Sequence, residues 1–406
     1  MKPISKVVKI GEVCTISPPK GELKHTSLTQ DDFVSFLPME DLGISSKNVN
    51  PTKTKTLAEA SGSYTYFGEG DILLAKVTPC FENGKLGIAT GLTNKVGFGS
   101  SEFIVIRPDT TKVVPSYLYY RLLEPTFREK GRSLMVGACG LKRLPKSYVS
   151  ESHLYLPSIS EQKRIVDILD AEFAKIDALK ENAEKSLQNA KDLFQAVLRK
   201  ELEPKEGWKT VTVGDVAELK GGKRVPKGYK LEKTPTPYPY IRVADFNNNG
   251  SVDLDDIHYI SEEVYNGIKR YIITTNDVYI SIAGTIGKSG IIPKELDGAN
   301  LTENACRLVF KEDINPKYVY YCTLNPDFKE QIAKLTMQAA QPKLALTRLA
   351  TVVCNIPPRK EQDEIVDIIS TVQNNTTILC NNYIETLTLC DDLKQALLRK
   401  AFNGEL

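Results

Sequence analysis

The sequence predicts a tandem duplication: two copies of a mixed α/β domain, each followed by a long helix. Three observations carry that expectation. Blocks of sequence recur at an offset of 200, each block carries apolar positions at a helical period, and the stretch ahead of each is rich in Gly, Pro, Tyr and short β-branched runs.

The recurrence comes first. Residues 161–170 (EQKRIVDILD) face 361–370 (EQDEIVDIIS), and 192–200 (DLFQAVLRK) face 392–400 (DLKQALLRK), with no insertion between the two blocks. Ahead of them the offset drifts: Ile10-Gly11-Glu12-Val13 matches Val213-Gly214-Asp215-Val216, Asp71-Ile72-Leu73 matches Asp277-Val278-Tyr279, and Pro115-x-Tyr117-x-Tyr119-Tyr120 matches Pro316-x-Tyr318-x-Tyr320-Tyr321. Drift means loop insertions. Each unit of about 200 residues therefore has a variable front and a tightly kept back.

The backs read as long helices, over residues 158–203 and 358–406. Pro157 and Pro357 stand just ahead of them, and Ser158 with Glu161 gives the first a capping-box start. From Ile176, the positions Leu179, Ala183, Leu187, Ala190, Phe194 and Val197 recur at steps of 3 or 4, a coiled-coil seam. The second copy keeps it with Ile365, Ile369, Val372, Leu379, Tyr383, Leu387, Cys390, Leu393 and Leu397. Neither helix can leave such a stripe in water, so the two are expected to pack on each other. Ile165, Ile176, Leu179, Leu187, Val197, Ile365, Leu379, Leu387 and Leu397 are the candidate coiled-coil and docking residues. In the second helix Gln373, Asn374, Asn375, Thr376, Thr377, Asn381 and Asn382 form a polar centre whose role the sequence leaves open.

The fronts, residues 1–157 and 204–357, hold runs such as FIVIRP, YIITTNDVYISIAG and CRLVF between turn residues, the pattern of a mixed α/β domain with many short strands. VPSYLYYRLLEPTF and NPKYVYYCTLNPDF each suggest one short helix.

Charge follows the same boundaries. The formal total of +2 resolves into +5, −2, +2 and −3 over the four segments, so the fronts carry +7 and the helices −5. Within the first front, Lys142, Arg143 and Lys146 follow the flexible Gly137-Ala138-Cys139-Gly140. Within the second, Lys220, Lys223, Arg224, Lys227, Lys230 and Lys233 face only Glu232 in a Gly- and Pro-punctuated loop. A cluster in each repeat favours phosphate contacts over two solvated loops. The candidate DNA-binding residues are Lys142, Arg143, Lys146, Lys220, Lys223, Arg224, Lys227, Arg242 and Lys343. Asn247, Asn248 and Asn249 are either base-edge readers or an ordinary turn.

Several classes are excluded. No run approaches the roughly 18–20 apolar residues of a membrane span, and the first residues lack a signal-peptide core, so a soluble cytoplasmic protein is expected. Eight cysteines without a CxxC pair and three dispersed histidines give no metal spacing. Ile282–Ser289 (IAGTIGKS) misses the first Gly of a phosphate loop, and its counterpart Gly84-Lys85-Leu86-Gly87 lacks the Ser; both read as hairpin turns. Ser17-Pro18-Pro19-Lys20 has Lys where an amino-methyltransferase motif needs an aromatic residue. Neither Glu69 with Asp71 nor the Asp253–Asp256 cluster has nuclease spacing. The chain is expected to be non-enzymatic.

Together, the helix entries LPSISEQKRIVDIL and IPPRKEQDEIVDII, the exits FQAVLRKEL and KQALLRKAFNGEL, Gly207-Trp208-Lys209 ahead of Val213-Gly214-Asp215-Val216, and the segments at Asp71 and Asp277 resemble the specificity subunit of type I restriction-modification systems. The resemblance covers essentially the whole chain. It implies target-recognition domains at 1–157 and 204–357, separated by conserved spacer helices that form an antiparallel coiled coil in a pseudo-twofold tandem repeat. It implies that each domain reads half of an asymmetric, bipartite duplex DNA target. Two methyltransferase subunits, holding S-adenosylmethionine, would dock on the scaffold, and restriction subunits using ATP and Mg would join them. No active site and no cofactor is expected in this chain.

Overall fold

The computed structural model describes residues 6–44, 46–138, 140–336 and 343–406. By its contacts the chain forms two compact units: Met1–Glu184 with Ile384–Leu406, and Lys185–Tyr383. Each therefore combines one front with half of each long helix, a partition that cuts across the linear boundaries.

The strands of the first unit are β1 (Lys6–Lys9), β2 (Cys14–Ile16), β3 (Phe33–Leu37), β4 (Asn48–Val49), β5 (Lys53–Thr56), β6 (Thr65–Gly68), β7 (Ile72–Ala75), β8 (Leu86–Ala89), β9 (Val96–Gly99), β10 (Phe103–Pro108) and β11 (His153–Leu156). Its helices are α1 (Ile10–Val13), α2 (Leu57–Ala60), α3 (Pro115–Leu123), α4 (Pro125–Ser133), α5 (Lys146–Glu151) and the start of α6 (Ile159–Glu201). The strands order as β2-β10-β7-β8-β4 and β5-β3-β9-β6, with β1 paired to β11.

In the second unit β12 (Lys209–Thr212), β13 (Ala217–Gly221), β14 (Pro239–Ile241), β15 (His258–Tyr259), β16 (Val278–Ser281), β17 (Ser289–Gly290), β18 (Asn300–Leu301), β19 (Ala305–Phe310) and β20 (Val353–Ile356) accompany α7 (Val213–Val216), α8 (Glu262–Ile268), α9 (Pro316–Leu324), α10 (Pro326–Thr336), α11 (Leu346–Leu349) and α12 (Arg359–Phe402). The order β13-β19-β16-β17 repeats β2-β10-β7-β8, and β12·β20 repeats β1·β11, whereas the outer sheet β15-β14-β18 differs from β5-β3-β9-β6. The inner sheet is the common framework. The outer sheets are where the repeats diverge.

The segments read as one short helix are two in each copy. Pro125 and Pro326 break the run and open the second helix, because a proline at a first helical position needs no N–H partner and carries the right φ.

Three pairs of matched contacts explain what the recurring residues do. Gln162 is fully buried; its Oε1 accepts from Val114 N at 2.8 Å, and its Nε2 donates to Lys112 O at 3.0 Å and Pro157 O at 2.9 Å. Gln362 makes the same three bonds, to Asn315 N at 2.8 Å, Asp313 O at 3.2 Å and Pro357 O at 2.9 Å. The glutamine of each helix entry thus clamps the long helix to the loop ahead of α3 or α9. Tyr117 and Tyr318 add a second tie, donating to Tyr155 O at 2.8 Å and Asn355 O at 2.7 Å. The recurring aspartates are structural as well: Asp71 meets Arg107 at 2.7 Å and Asp277 meets Arg307 at 2.8 Å, both carboxylates all but buried. Removing one partner of such a pair leaves an uncompensated charge and costs about 3–5 kcal/mol.

The long helices pack on each other, and in the first unit they run antiparallel. There Arg164 donates to Leu406 O at 2.7 Å, Asp177 pairs with Lys394, and Lys180 meets Asp391 at 2.7 Å, so partner numbers fall as positions rise. Ile165, Val166, Leu169, Leu398 and Ala401 close that unit's core, as Leu198, Leu202, Ile365, Val366 and Ile369 close the other.

The seam departs from the sequence reading at Leu179, Leu379 and Leu393. Buried or half-buried positions are Phe173, Ile176, Lys180, Ala183, Leu187, Ala190 and Phe194, then Gln373, Thr376, Cys380, Tyr383, Leu387, Cys390 and Lys394, an unbroken 4-3 alternation in both helices. Ile165, Ile176 and Ile365 are buried, and Leu187, Val197, Leu387 and Leu397 half-buried, but Leu179 is 51% and Leu379 40% exposed. The seam passes instead through Lys180, whose aliphatic stem lies along it while the ammonium reaches Asp391. The polar centre of α12 splits the same way. Thr376 is buried and bonds Val372 O at 2.8 Å, Gln373 accepts from Tyr321 Oη at 2.9 Å, and Asn374, Asn375, Asn381 and Asn382 face outward.

Candidate nucleic-acid interface

Lys142 and Arg143 lie on the returning arm of a short hairpin. Arg143 and Val136 exchange backbone hydrogen bonds at 2.8 and 3.1 Å, Leu144 N donates to Lys76 O at 2.8 Å, and Thr78 N donates to Lys142 O at 3.0 Å. Buried Met135 and Leu144 anchor the base. The Arg143 guanidinium grips Glu102 through Nε and an Nη at 2.9 Å each. That bond holds the Glu102 carboxyl below its ordinary range, with the Lys76 charge adding to it. Arg143 is thus an anchor, whereas Lys142 and Lys146, the first residue of α5, present their ammonium groups to solvent.

In the second unit the basic loop is laid over the sheet. Lys220 sits on β13 beside Glu218 at 2.9 Å. Lys223 N donates to Leu301 O at 2.8 Å, and its Nζ stands 5.8 Å over the Tyr271 ring. Arg224 meets Glu303 at 2.6 Å, Lys233 meets Asp256 at 2.9 Å, and Lys227 and Lys230 are exposed. Arg242 is held by Asp245 and Asp256, and those bonds raise its pKa, Asp245 first; its guanidinium is committed to the protein. Asn247 closes a turn, its Oδ1 accepting from Asn249 N and Ser251 N at 3.0 Å each, while Asn248 and Asn249 stay exposed.

The repeats are more alike here than the sequence suggested. Lys343 bridges Ala283 as Arg143 bridges Val77, and Leu344 N donates to Ile282 O at 2.8 Å as Leu144 N does to Lys76 O. Arg143 and Lys343, 200 positions apart, occupy one place in the framework. The Gly-Lys hairpins also correspond: Lys85 Nζ donates to Met39 O at 2.9 Å and Lys288 Nζ to Phe246 O. These lysines staple the hairpin to the loop beside it. Sequence reasoning missed Arg128 on α4 and Lys329 on α10, matched residues whose pKa values are lowered, first of all by burial, and which have no carboxylate in ion-pair contact among the described residues. Pro125-Thr126-Phe127 against Pro326-Asp327-Phe328 was the signal that would have found them.

Two α/β units, each with a kept framework, a divergent outer sheet and exposed lysines in its loops, define a protein of two repeated domains. No group of three or more metal-ligating side chains occurs among the described residues, and no described helix is long and apolar enough to cross a membrane. The family described as the type I restriction modification DNA specificity domain matches twice, over residues 5–189 and 205–389, and the chain belongs to that family. The family is a recognition domain, not an enzyme.

Relatives agree. The chain is 32% identical over 191 residues to the EcoEI specificity subunit of Escherichia coli, a match spanning 47% of this chain and 31% of that one. The chain thus spans about a third of the length of that curated relative, and 28% of the EcoAI specificity subunit at 32% identity. Against the MjaVIII specificity subunit of Methanocaldococcus jannaschii the match is 20% identical but covers 91% of this chain and 86% of that one. Among solved structures, a chain described under complex assembly and conformational transition of the type I R-M system matches at TM-score 0.80 and 18% identity, covering 100% of this chain and 99% of that one. The HsdS subunit from Thermoanaerobacter tengcongensis matches at 0.61 and 18%, covering 100% and 98%. At those identities the likeness is one of fold.

Proposed function

We propose that this chain is the DNA sequence-recognition subunit of a type I restriction-modification complex. Each front domain reads one half of a bipartite, asymmetric duplex target, and the paired helices set the gap between the halves. The observation that carries the reading is the combination of a duplicated framework with divergent outer sheets. Duplication supplies two equivalent platforms, and divergence supplies two different readers.

Subunit docking belongs to the same reading. Off the seam, the helices expose Leu179, Ile384, Leu389 and Leu393 in the first unit and Leu193, Ile368, Ile378 and Leu379 in the second, each at least 40% accessible. The matched pairs among them, Leu179 with Leu379 and Leu193 with Leu393, suit two copies of one methyltransferase subunit. Those subunits would hold S-adenosylmethionine, and restriction subunits would use ATP and Mg, in the cytoplasm. In this chain Lys142, Lys146, Lys223 and Lys227 are the phosphate contacts, with Lys220 and Lys343 beside them, while Arg143, Arg224 and Arg242 fix the loops that carry them.

The test is adenine methylation. The chain with its methyltransferase partner is expected to methylate one split motif, and deleting its gene to erase that N6-methyladenine signal. An unchanged methylation pattern after deletion overturns the reading.

A further inference from the structure

The hairpin that carries Lys142 has a feature that phosphate binding alone does not require. Large apolar side chains on and beside it face water: Val136 is 64%, Leu141 59% and Leu134 46% exposed, three within eight residues. The base is fixed by the Val136–Arg143 backbone pair, by the Arg143–Glu102 grip and by the bonds from Leu144 N and Thr78 N. The turn is built for close reversal. Gly137 and Gly140 have φ of 132° and 81°, and a Cβ at Gly137 would lie 2.8 Å from Leu141 O. Val136 and Leu141 are therefore held out by the fold.

Cations flank them. Lys130 and Arg132 on α4, Lys142 on the hairpin and Lys146 on α5 are all exposed, and none is in ion-pair contact with a carboxylate among the described residues. An apolar point between unneutralised cations is the complement of a duplex groove, where a stack of base edges runs between two rails of phosphate.

We propose that the hairpin arms at Val136–Ala138 and Gly140–Arg143 form a wedge: Val136 and Leu141 enter a groove of the half-site bound by the first domain and open a base step, while Lys130, Arg132, Lys142 and Lys146 hold nearby phosphates. The proposal rests on the DNA-recognition reading and adds a mechanism to it. Sequence would then be read in that half partly through the ease of unstacking one step, with pyrimidine–purine steps favoured.

The experiment uses the full chain and duplexes carrying its methylated motif, with 2-aminopurine placed at successive positions of each half. Binding of the unaltered chain is expected to raise fluorescence at one step of the half assigned to the first domain. Val136→Ser with Leu141→Ser is expected to abolish that rise and weaken binding at least about tenfold, the loss of roughly one buried aliphatic contact. The same pair should leave the salt dependence and the melting temperature unchanged, since both side chains are exposed. Val136→Ile with Leu141→Met should keep the rise. Flat fluorescence with salt-dependent binding retained by the Ser variant overturns the wedge and leaves DNA recognition standing. A Ser variant that binds DNA normally but no longer retains the methyltransferase subunit overturns the wedge in favour of a protein-docking hairpin. Absence of salt-dependent binding by the unaltered chain overturns the parent reading as well.

Discussion

Replacing Gln162 by Leu tests the clamp that joins the first front to its helix. Gln162 is 0% exposed and makes three hydrogen bonds, at 2.8, 3.0 and 2.9 Å. Leucine fills much of the volume but strands the Val114 N–H and the Lys112 and Pro157 carbonyls, at about 1 kcal/mol for each partly buried group and up to about 3 for a buried one. A total of about 3 kcal/mol is expected, since some of these groups recover water. Because the chain has two units, a single unfolding free energy is not well defined for it, and amide exchange is the better assay. Protection at the Val114 amide should fall by about two orders of magnitude, since each factor of ten is about 1.4 kcal/mol. Asn315, bonded to Gln362 in the other unit, should keep its protection. Gln362→Leu should give the converse pattern. If Val114 protection changes by less than about threefold in Gln162→Leu, the clamp is not what holds the helix entry.

Three more outcomes are expected. Lys142→Ala should lower the slope of log affinity against log salt by about 0.9, one phosphate contact, whereas Arg143→Ala should act through the hairpin; equal slopes for Lys142→Ala and the parent chain would remove Lys142 from the interface. The Glu102 carboxyl, depressed by its Arg143 bond, lends stability above the unfolded carboxylate range near about pH 4 and loses it as pH falls through the folded value. Its titration followed by NMR should therefore move upward in Arg143→Ala, and an unmoved titration contradicts the pairing. Burial pushes the thiols of Cys14, Cys306 and Cys354 up to about 12, so in the native chain iodoacetamide should modify half-exposed Cys80 and Cys380 ahead of them. Mass mapping that finds the three labelled as fast as Cys80 refutes their burial.

Much of this architecture was legible because its signals are periodic or repeated. The offset of 200 exposed the duplication, and the heptad pattern exposed the paired helices. What the sequence hid follows from side chains with two characters. Lys180 reads as charge, yet its stem belongs to the seam, so the reading slipped onto exposed Leu179. Gln162 and Gln362 stand out in the sequence only as a recurring pair, and the loops they bond reveal why they are buried. In the interface, composition located the basic loops but not their partners: Glu102, Glu303 and Asp245 lie 41, 79 and 3 positions from the arginines they hold. The match of Arg143 with Lys343 escaped notice because Leu144 and Leu344 beside them are too short an identity to mark the alignment.

The central claim is that the two fronts are independent readers of one split target. It is tested most directly by replacing residues 6–157 with the corresponding domain of another family member and sequencing the N6-methyladenine of cells carrying the hybrid chain with its methyltransferase subunit. One half of the methylated motif should change to a new sequence, with the other half and the gap between them kept. A motif that stays the same, or that changes in both halves, would contradict the account.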